Sequence, residues 1–185
     1  MECGKIMKPM WLRVNPAIRS FILGEVERQY HPIGTMEFAT RVEWMTDAWM
    51  WAMEQDSKYP TMDDMLYVAS IIEPEMNGEG FRRHGVWIGN DERMQHAEVP
   101  AAVARLWARV RDVVPRQGKR GPARYLDGFS DEGAGITADE FYLEFEYIHP
   151  FGDGNGRTGK IIHNWLLGTL KAPVLVADYF GGGNP

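Results

Sequence analysis

Between His149 and Lys160 the chain reads His-Pro-Phe-Gly-Asp-Gly-Asn-Gly-Arg-Thr-Gly-Lys, a run holding the parts needed to grip and attack a polyphosphate. Gly152, Gly154 and Gly156 let the backbone aim successive N–H groups at one point and let a ligand come close. A helix starting there adds unpaired amides and the positive end of its dipole. Arg157 and Lys160, three residues apart, share a face of that helix and both reach toward the same anion. Asp153 offers an oxygen to a hard cation such as Mg²⁺, and His149 accepts a proton near neutral pH. A merely structural turn is the bland alternative. It has no need to gather His, Asp, Asn and Arg around three glycines. No strand precedes the glycines and no Lys-Ser/Thr pair follows them, so neither a dinucleotide fingerprint nor a P-loop is supported.

The elements that must position this segment are mostly helical. Asn15-Pro16 marks a capped start for a helix over 16–30. Residues 36–55 place Phe38, Val42, Met45, Trp49 and Met53 on one face, a Met- and Trp-rich stripe that reads as core. Residues 62–73 continue the helical period until Pro74 stops it, and Asn77 to Gly80 form a loop. Phe81 to Ile88 reads as a strand or hairpin ending at Gly89-Asn90. Helical spacing returns over 99–114, with Val103, Leu106, Trp107 and Val110 on a common side. The Pro- and Gly-punctuated stretch 115–136 is a loop, with a short helical turn near Tyr125. Thr137 and Glu140 then form a capping box for a helix carrying Phe141, Phe145 and Ile148. Pro150 disfavours helical geometry at the residue before it, which puts His149 at that helix's end. A last helix over roughly 156–170 sends Ile161, Ile162, Trp165 and Leu166 to the core.

Composition narrows the classes. The chain has 185 residues, enough for one domain with a real core, and we read residues 1–185 as a single domain. A net charge of −6 argues against non-specific nucleic-acid binding, so any phosphate site must be a local basic island. Cys3 is the lone cysteine, which excludes an internal disulfide framework and fits a reducing compartment. With no signal core and no apolar run of spanning length, a cytoplasmic location is expected, with export by a dedicated secretion system as the alternative. His31, His84, His96 and His163 are dispersed and show no metal-ligand spacing. Arg116, Lys119, Arg120 and Arg124 read as a solvated face. Arg82 and Arg83, adjacent on an extended segment, point to opposite sides.

The segment 149–160 resembles the signature of the Fic (Fic/Doc) family: His-Pro-Phe, any residue, Asp/Glu, Gly-Asn-Gly-Arg, two residues, Arg. Every fixed position matches except the last, where Lys160 stands for Arg. The likeness reaches into the flanking helices and, more loosely, into a flap at about 79–90; the first 75 residues match only in being helical. It implies an all-α bundle of about six helices with a small β-hairpin flap, acting as a protein adenylyltransferase on a Ser, Thr or Tyr hydroxyl. His149 would be the general base, Asp153 the ligand of Mg²⁺ bound with ATP, and Phe151 a structural anchor. Gly154, Asn155 and Gly156 would cradle the α-phosphate, Arg157 the β-phosphate and Lys160, less firmly than an arginine, the γ-phosphate. Phe81, Arg82, Arg83, His84, Gly85, Val86, Trp87 and Ile88 would form the flap that takes up a target segment by strand addition. The family's usual inhibitory pattern, Ser/Thr-x-x-x-Glu-Gly/Asn, is absent, which leaves a separate antitoxin-like inhibitor supplying a glutamate, or another control. The alternatives are transfer of UMP or of the γ-phosphate, as in the kinase-like Doc branch, and a non-catalytic nucleotide-binding scaffold. Gly156 after Asn155, where that branch carries Lys, argues against the Doc reaction.

Overall fold

The computed structural model describes residues 14–29, 33–55, 59–113 and 136–176. Over these residues the protein is all-α, with one minimal hairpin. The order is α1 (Pro16–Arg28), α2 (Met36–Glu54), α3 (Met62–Ile72), α4 (Pro74–Asn77), β1 (Trp87–Ile88), β2 (Asp91–Glu92), α5 (Val99–Val113), α6 (Ala138–Ile148) and α7 (Asn155–Leu167). Tyr125, His31 and the basic group at 116–124 lie outside the described residues.

Local chemistry sets most of the helix starts. Asn15 Oδ1 accepts from the amides of Ala17 at 2.7 Å and Ile18 at 3.2 Å, with Pro16 in the first turn, where its missing N–H costs nothing. Thr61 with Asp64, and Thr137 with Glu140, form reciprocal capping boxes that open α3 and α6. The apolar stripes then close one core. Phe38, Val42, Met45 and Trp49 of α2 are buried together with Val103, Leu106, Trp107 and Val110 of α5. Met53, expected on the same face, is half-buried against that cluster. Within the core α6 packs on α7, α2 and α3 cover α7 from another side, and α1 lies on α2.

Three boundaries differ from the sequence expectation, each for a local reason. Pro74 stops α3 but also starts α4, because proline fits a first helical turn; Glu73 is left between them in an extended break. The last helix ends at Leu167 rather than near residue 170, since Gly168 takes a left-handed turn (φ 68°) and caps it. The segment 81–86 is not a strand. Only Trp87 and Ile88 pair, with Glu92 and Asp91 across the Gly89-Asn90 turn, so the second leg lies beyond the turn where the first leg was expected to end.

Gly154 is where the fold tolerates nothing larger. It initiates α7 with φ 71°, and an added Cβ would stand 2.5 Å from Ile72 Cγ2 at the end of α3. Gly154→Ala is therefore expected to lower stability by roughly 2–5 kcal/mol, combining overpacking with left-handed backbone strain. Chemical denaturation of the purified variant checks this; a loss below about 1 kcal/mol would show that α3 and α7 are not in firm contact.

Candidate functional site

The site is built where α6 ends and α7 begins. His149 closes α6, its amide donating to Phe145 O at 2.8 Å, and it adopts φ 51°, ψ 64°. Among the described residues it is the one non-glycine at positive φ. The sequence placed His149 at the helix end through the effect of Pro150, and the helix does stop there; the backbone is left-handed rather than extended. Burial pushes the imidazole down to about 4, with Arg93 and Arg82 adding to the effect and the Glu146 main chain and Asp153 opposing it. The ring is thus neutral at physiological pH. Glu146 Oε2 lies 3.8 Å from Nδ1.

The turn that follows is closed from within. The Asn155 side chain accepts from Phe151 N and donates to Phe151 O, both at 2.9 Å. Asn155 therefore braces the loop with its side chain, a role distinct from the cradle expected of its amide. Phe151 is fully buried, its ring against Phe145 and Phe81. Gly154 N donates to Asp153 Oδ1 at 2.6 Å, so that amide already serves a carboxylate. Gly156 faces Gln29 at the end of α1 and Glu146 on α6. The first amides of α7 find no acceptor within the helix, as at any helix start.

Both cations expected to hold phosphates are buried, each with one nitrogen against a carboxylate. Arg157 has no exposure, and its Nη2 lies 2.5 Å from Glu73 Oε1 and 3.7 Å from Asp153 Oδ1. Its Nε and Nη1 meet no acceptor among the described residues. Lys160 is 6% exposed, with Nζ 2.5 Å from Glu25 Oε2 of α1. Arg41 of α2 completes the cluster, Nε 3.2 Å from Glu73 and Nη2 3.6 Å from Asp153 Oδ2. Asn77 Nδ2 donates to Asp153 O at 2.9 Å and to Ala69 O at 3.1 Å, tying the turn to α3.

The hairpin residues separate into two kinds. Arg83, His84, Gly85, Trp87 and Ile88 are exposed, Phe81 and Val86 half-buried. Arg82 is 4% exposed and faces inward, which removes it from the surface that a docked target would touch. Its guanidinium binds the carbonyls at the end of α6, and its amide donates to Pro150 O at 2.9 Å. His163 is also buried and bonds Asp139 at 2.6 Å; His96 is exposed on a short 3-10 turn.

A metal fits this donor set only in one form. No group of three or more His, Cys, Asp or Glu able to hold an ion occurs among the described residues. The half-exposed Asp153 carboxylate can supply one oxygen, which suits a Mg²⁺ whose other ligands are phosphate oxygens and water. Glu25, Arg41, Glu73, Asn77 and Glu146 were not singled out from the sequence. Glu25, Arg41, Glu73 and Asn77 reach the site only through packing, with no short-range spacing to His149–Lys160 that would mark them. Glu146 stands three residues before His149, one helical turn away, and that spacing was the signal available.

Residues 94–167 match the Fic/DOC family. A stretch of 43 residues is 45% identical to the ribonucleoside-diphosphate reductase small chain of Ostreid herpesvirus 1 (isolate France). That stretch covers 23% of this chain and 7% of the length of that protein. No helix among the described residues is long and apolar enough to cross a membrane.

The buried histidines make stability depend on pH. Both His149 and His163 are held below their ordinary value, so below about pH 6.5 the unfolded chain binds more protons than the folded one. Stability is complete above that value and falls as pH drops, for His149 down to about 4. His149 alone is expected to cost roughly 2 kcal/mol between about pH 7 and about pH 5. Denaturation series of the wild type and His149→Gln should diverge in slope over that range; parallel curves would refute the assignment.

Proposed function

The chain belongs to the Fic/DOC family through residues 94–167, a family of AMPylation-type transferases, and on that premise we propose that it transfers AMP from ATP to a Ser, Thr or Tyr hydroxyl of a target protein. The observation that carries the reading is Arg157. A guanidinium with no exposure and two nitrogens, Nε and Nη1, that meet no acceptor among the described residues, in the first turn of α7, calls for an anion there. His149 stands at the other side of the turn in its neutral form, able to take a proton.

In this reading the target hydroxyl oxygen attacks the α-phosphorus and its proton passes to the His149 imidazole. The bond from the α-phosphorus to the bridging oxygen breaks, and pyrophosphate leaves. The opening amides of α7 face the charge that builds on the α-phosphate, and Arg157 grips the β-phosphate. Asp153 is the residue that would hold Mg²⁺, which when bound would supply charge neutralisation at the phosphates. A base at about 4 is weak, but the charge of an entering triphosphate favours the imidazolium and raises it toward the working range. The exposed face of the hairpin, Trp87 and Ile88 included, offers a short edge for an extended target segment.

Control is built into the same contacts. Glu25 neutralises Lys160 from within the chain although the family's usual inhibitory pattern is missing. A separate antitoxin-like inhibitor would meet a lysine that is already paired. A nucleotide that needs Lys160 has to displace Glu25 first.

Incubation with Mg²⁺ and α-labelled ATP in cell lysate tests the reaction. Label is expected on the protein or a lysate band and absent with His149→Ala. Transfer of γ-label alone would replace AMP transfer by the kinase-like reaction, and ATP binding without transfer of either label would favour the scaffold. Glu25→Gln is expected to tighten ATP binding roughly tenfold, about 1.4 kcal/mol, by titration calorimetry; unchanged affinity would remove Glu25 from the control of the site.

A further inference from the structure

Arg82 enters the structure as an anomaly. It precedes an exposed hairpin, yet it is 4% exposed and spends its guanidinium on main-chain carbonyls. Nε donates to His149 O at 2.7 Å and Nη1 to His84 O at 2.7 Å. Nη2 donates to Met94 O and, at 3.4 Å, to Ile148 O. The Arg82 amide donates to Pro150 O at 2.9 Å. One side chain thus binds the last carbonyls of α6, the peptide of the candidate base, and both legs of the hairpin.

We propose that Arg82 is the positioning residue of His149, holding its left-handed backbone in place and tying that geometry to the hairpin. Two physical constraints meet at this point. The final carbonyls of α6 have no partner in their own helix and need a donor from elsewhere. His149, with φ 51°, sits in a region that side chains other than glycine enter only where surrounding contacts over-determine it. The carbonyl of His149 itself is the acceptor of Arg82 Nε, so the strained residue is clamped directly. The planar fork matters, because its donors diverge to carbonyls on three chain segments, which a lysine's single ammonium cannot reproduce.

The same fork spans the hairpin. His84 precedes β1 and Met94 follows β2, and between them Arg93 N donates to Val86 O at 2.9 Å. A target segment laid along β1 therefore presses on a frame whose other end is the His149 peptide. The inference deepens the proposed transfer reaction and rests on it only for its kinetic consequence. The groups that set the charge around His149 are Glu146 on its own helix, Arg82 and Arg93 from the hairpin legs, and Asp153 from the turn. Arg82→Lys keeps the positive charge and removes the fork, which separates position from electrostatics.

The decisive readout is the His149 backbone. In isotope-labelled Arg82→Lys, free of nucleotide and target, the Cα and Cβ shifts of His149 are expected to leave their left-handed values. Those of Phe141 and Tyr142, earlier in α6, stay as in the wild type. In the transfer assay kcat falls roughly 10- to 100-fold while KM for ATP changes little. Wild-type His149 shifts in a folded Arg82→Lys protein would overturn the proposal whatever the assay shows. Absence of transfer by the wild type would sink the reaction and leave the shift measurement to decide Arg82. Should Arg82→Lys fail to fold, the double variant with His149→Gly is measured. Glycine takes the left-handed turn without strain, so recovery of the fold is expected, and continued failure would refute the clamp.

Discussion

A guanidinium sealed from water has to be answered by a carboxylate, and much of the architecture around the site follows from the pair Arg157–Glu73. Glu73 reaches Arg157 from the break that Pro74 makes in the helix line between α3 and α4. The close approach of the two segments leaves no space for a Cβ at Gly154, which opens α7 against Ile72. Arg41 arrives from α2 to share the same carboxylate and touches Asp153 as well. Four charges, two of each sign, are balanced in one cluster. Removing one partner of a buried pair costs about 3–5 kcal/mol, so the cluster penalises any shift of α2, α3 and α7 that separates Arg157 from Glu73.

A second pair, Lys160 with Glu25, does for α1 what Glu73 does for α3. Both carboxylates approach cations on successive turns of α7, Glu25 from α1 and Glu73 from the break between α3 and α4. The protein is acidic overall, and its basic island at the turn is neutralised internally. Polyanion binding at such a place is an exchange of partners. In the proposed reading affinity would depend on how readily Glu25 and Glu73 yield, and Glu25, bonded also to Arg28, has an alternative cation at hand. Lysine at position 160 makes that exchange easier than arginine would, since an ammonium is a point charge without a fixed fork.

The imidazole of His149 is governed by the same economy of space. Burial and two nearby arginines keep it neutral, and its position depends on carbonyl contacts from a segment nearly seventy residues earlier in the chain. Strain at that residue is stable because the loop after it is doubly closed by the Asn155 side chain and anchored by Phe151. Geometry at His149 is therefore a property of the whole turn rather than of one side chain.

What the amino-acid sequence determined alone is everything governed by neighbours a few residues apart. The Asn15 cap, the capping box of Thr137 and Glu140, the stop at Pro150, the glycine turn and the apolar stripes of α2 and α5 all act within one or two helical turns. So does the run from His149 to Lys160, whose chemistry is contiguous and whose family likeness was therefore readable. Tertiary structure alone decided which carboxylates meet Arg157 and Lys160, and that Arg82 turns inward while its neighbour Arg83 stays in water. Those outcomes depend on segments brought together from distant parts of the chain. Electrostatic matching of a buried charge selects its partner by proximity in space, and no local spacing records that choice.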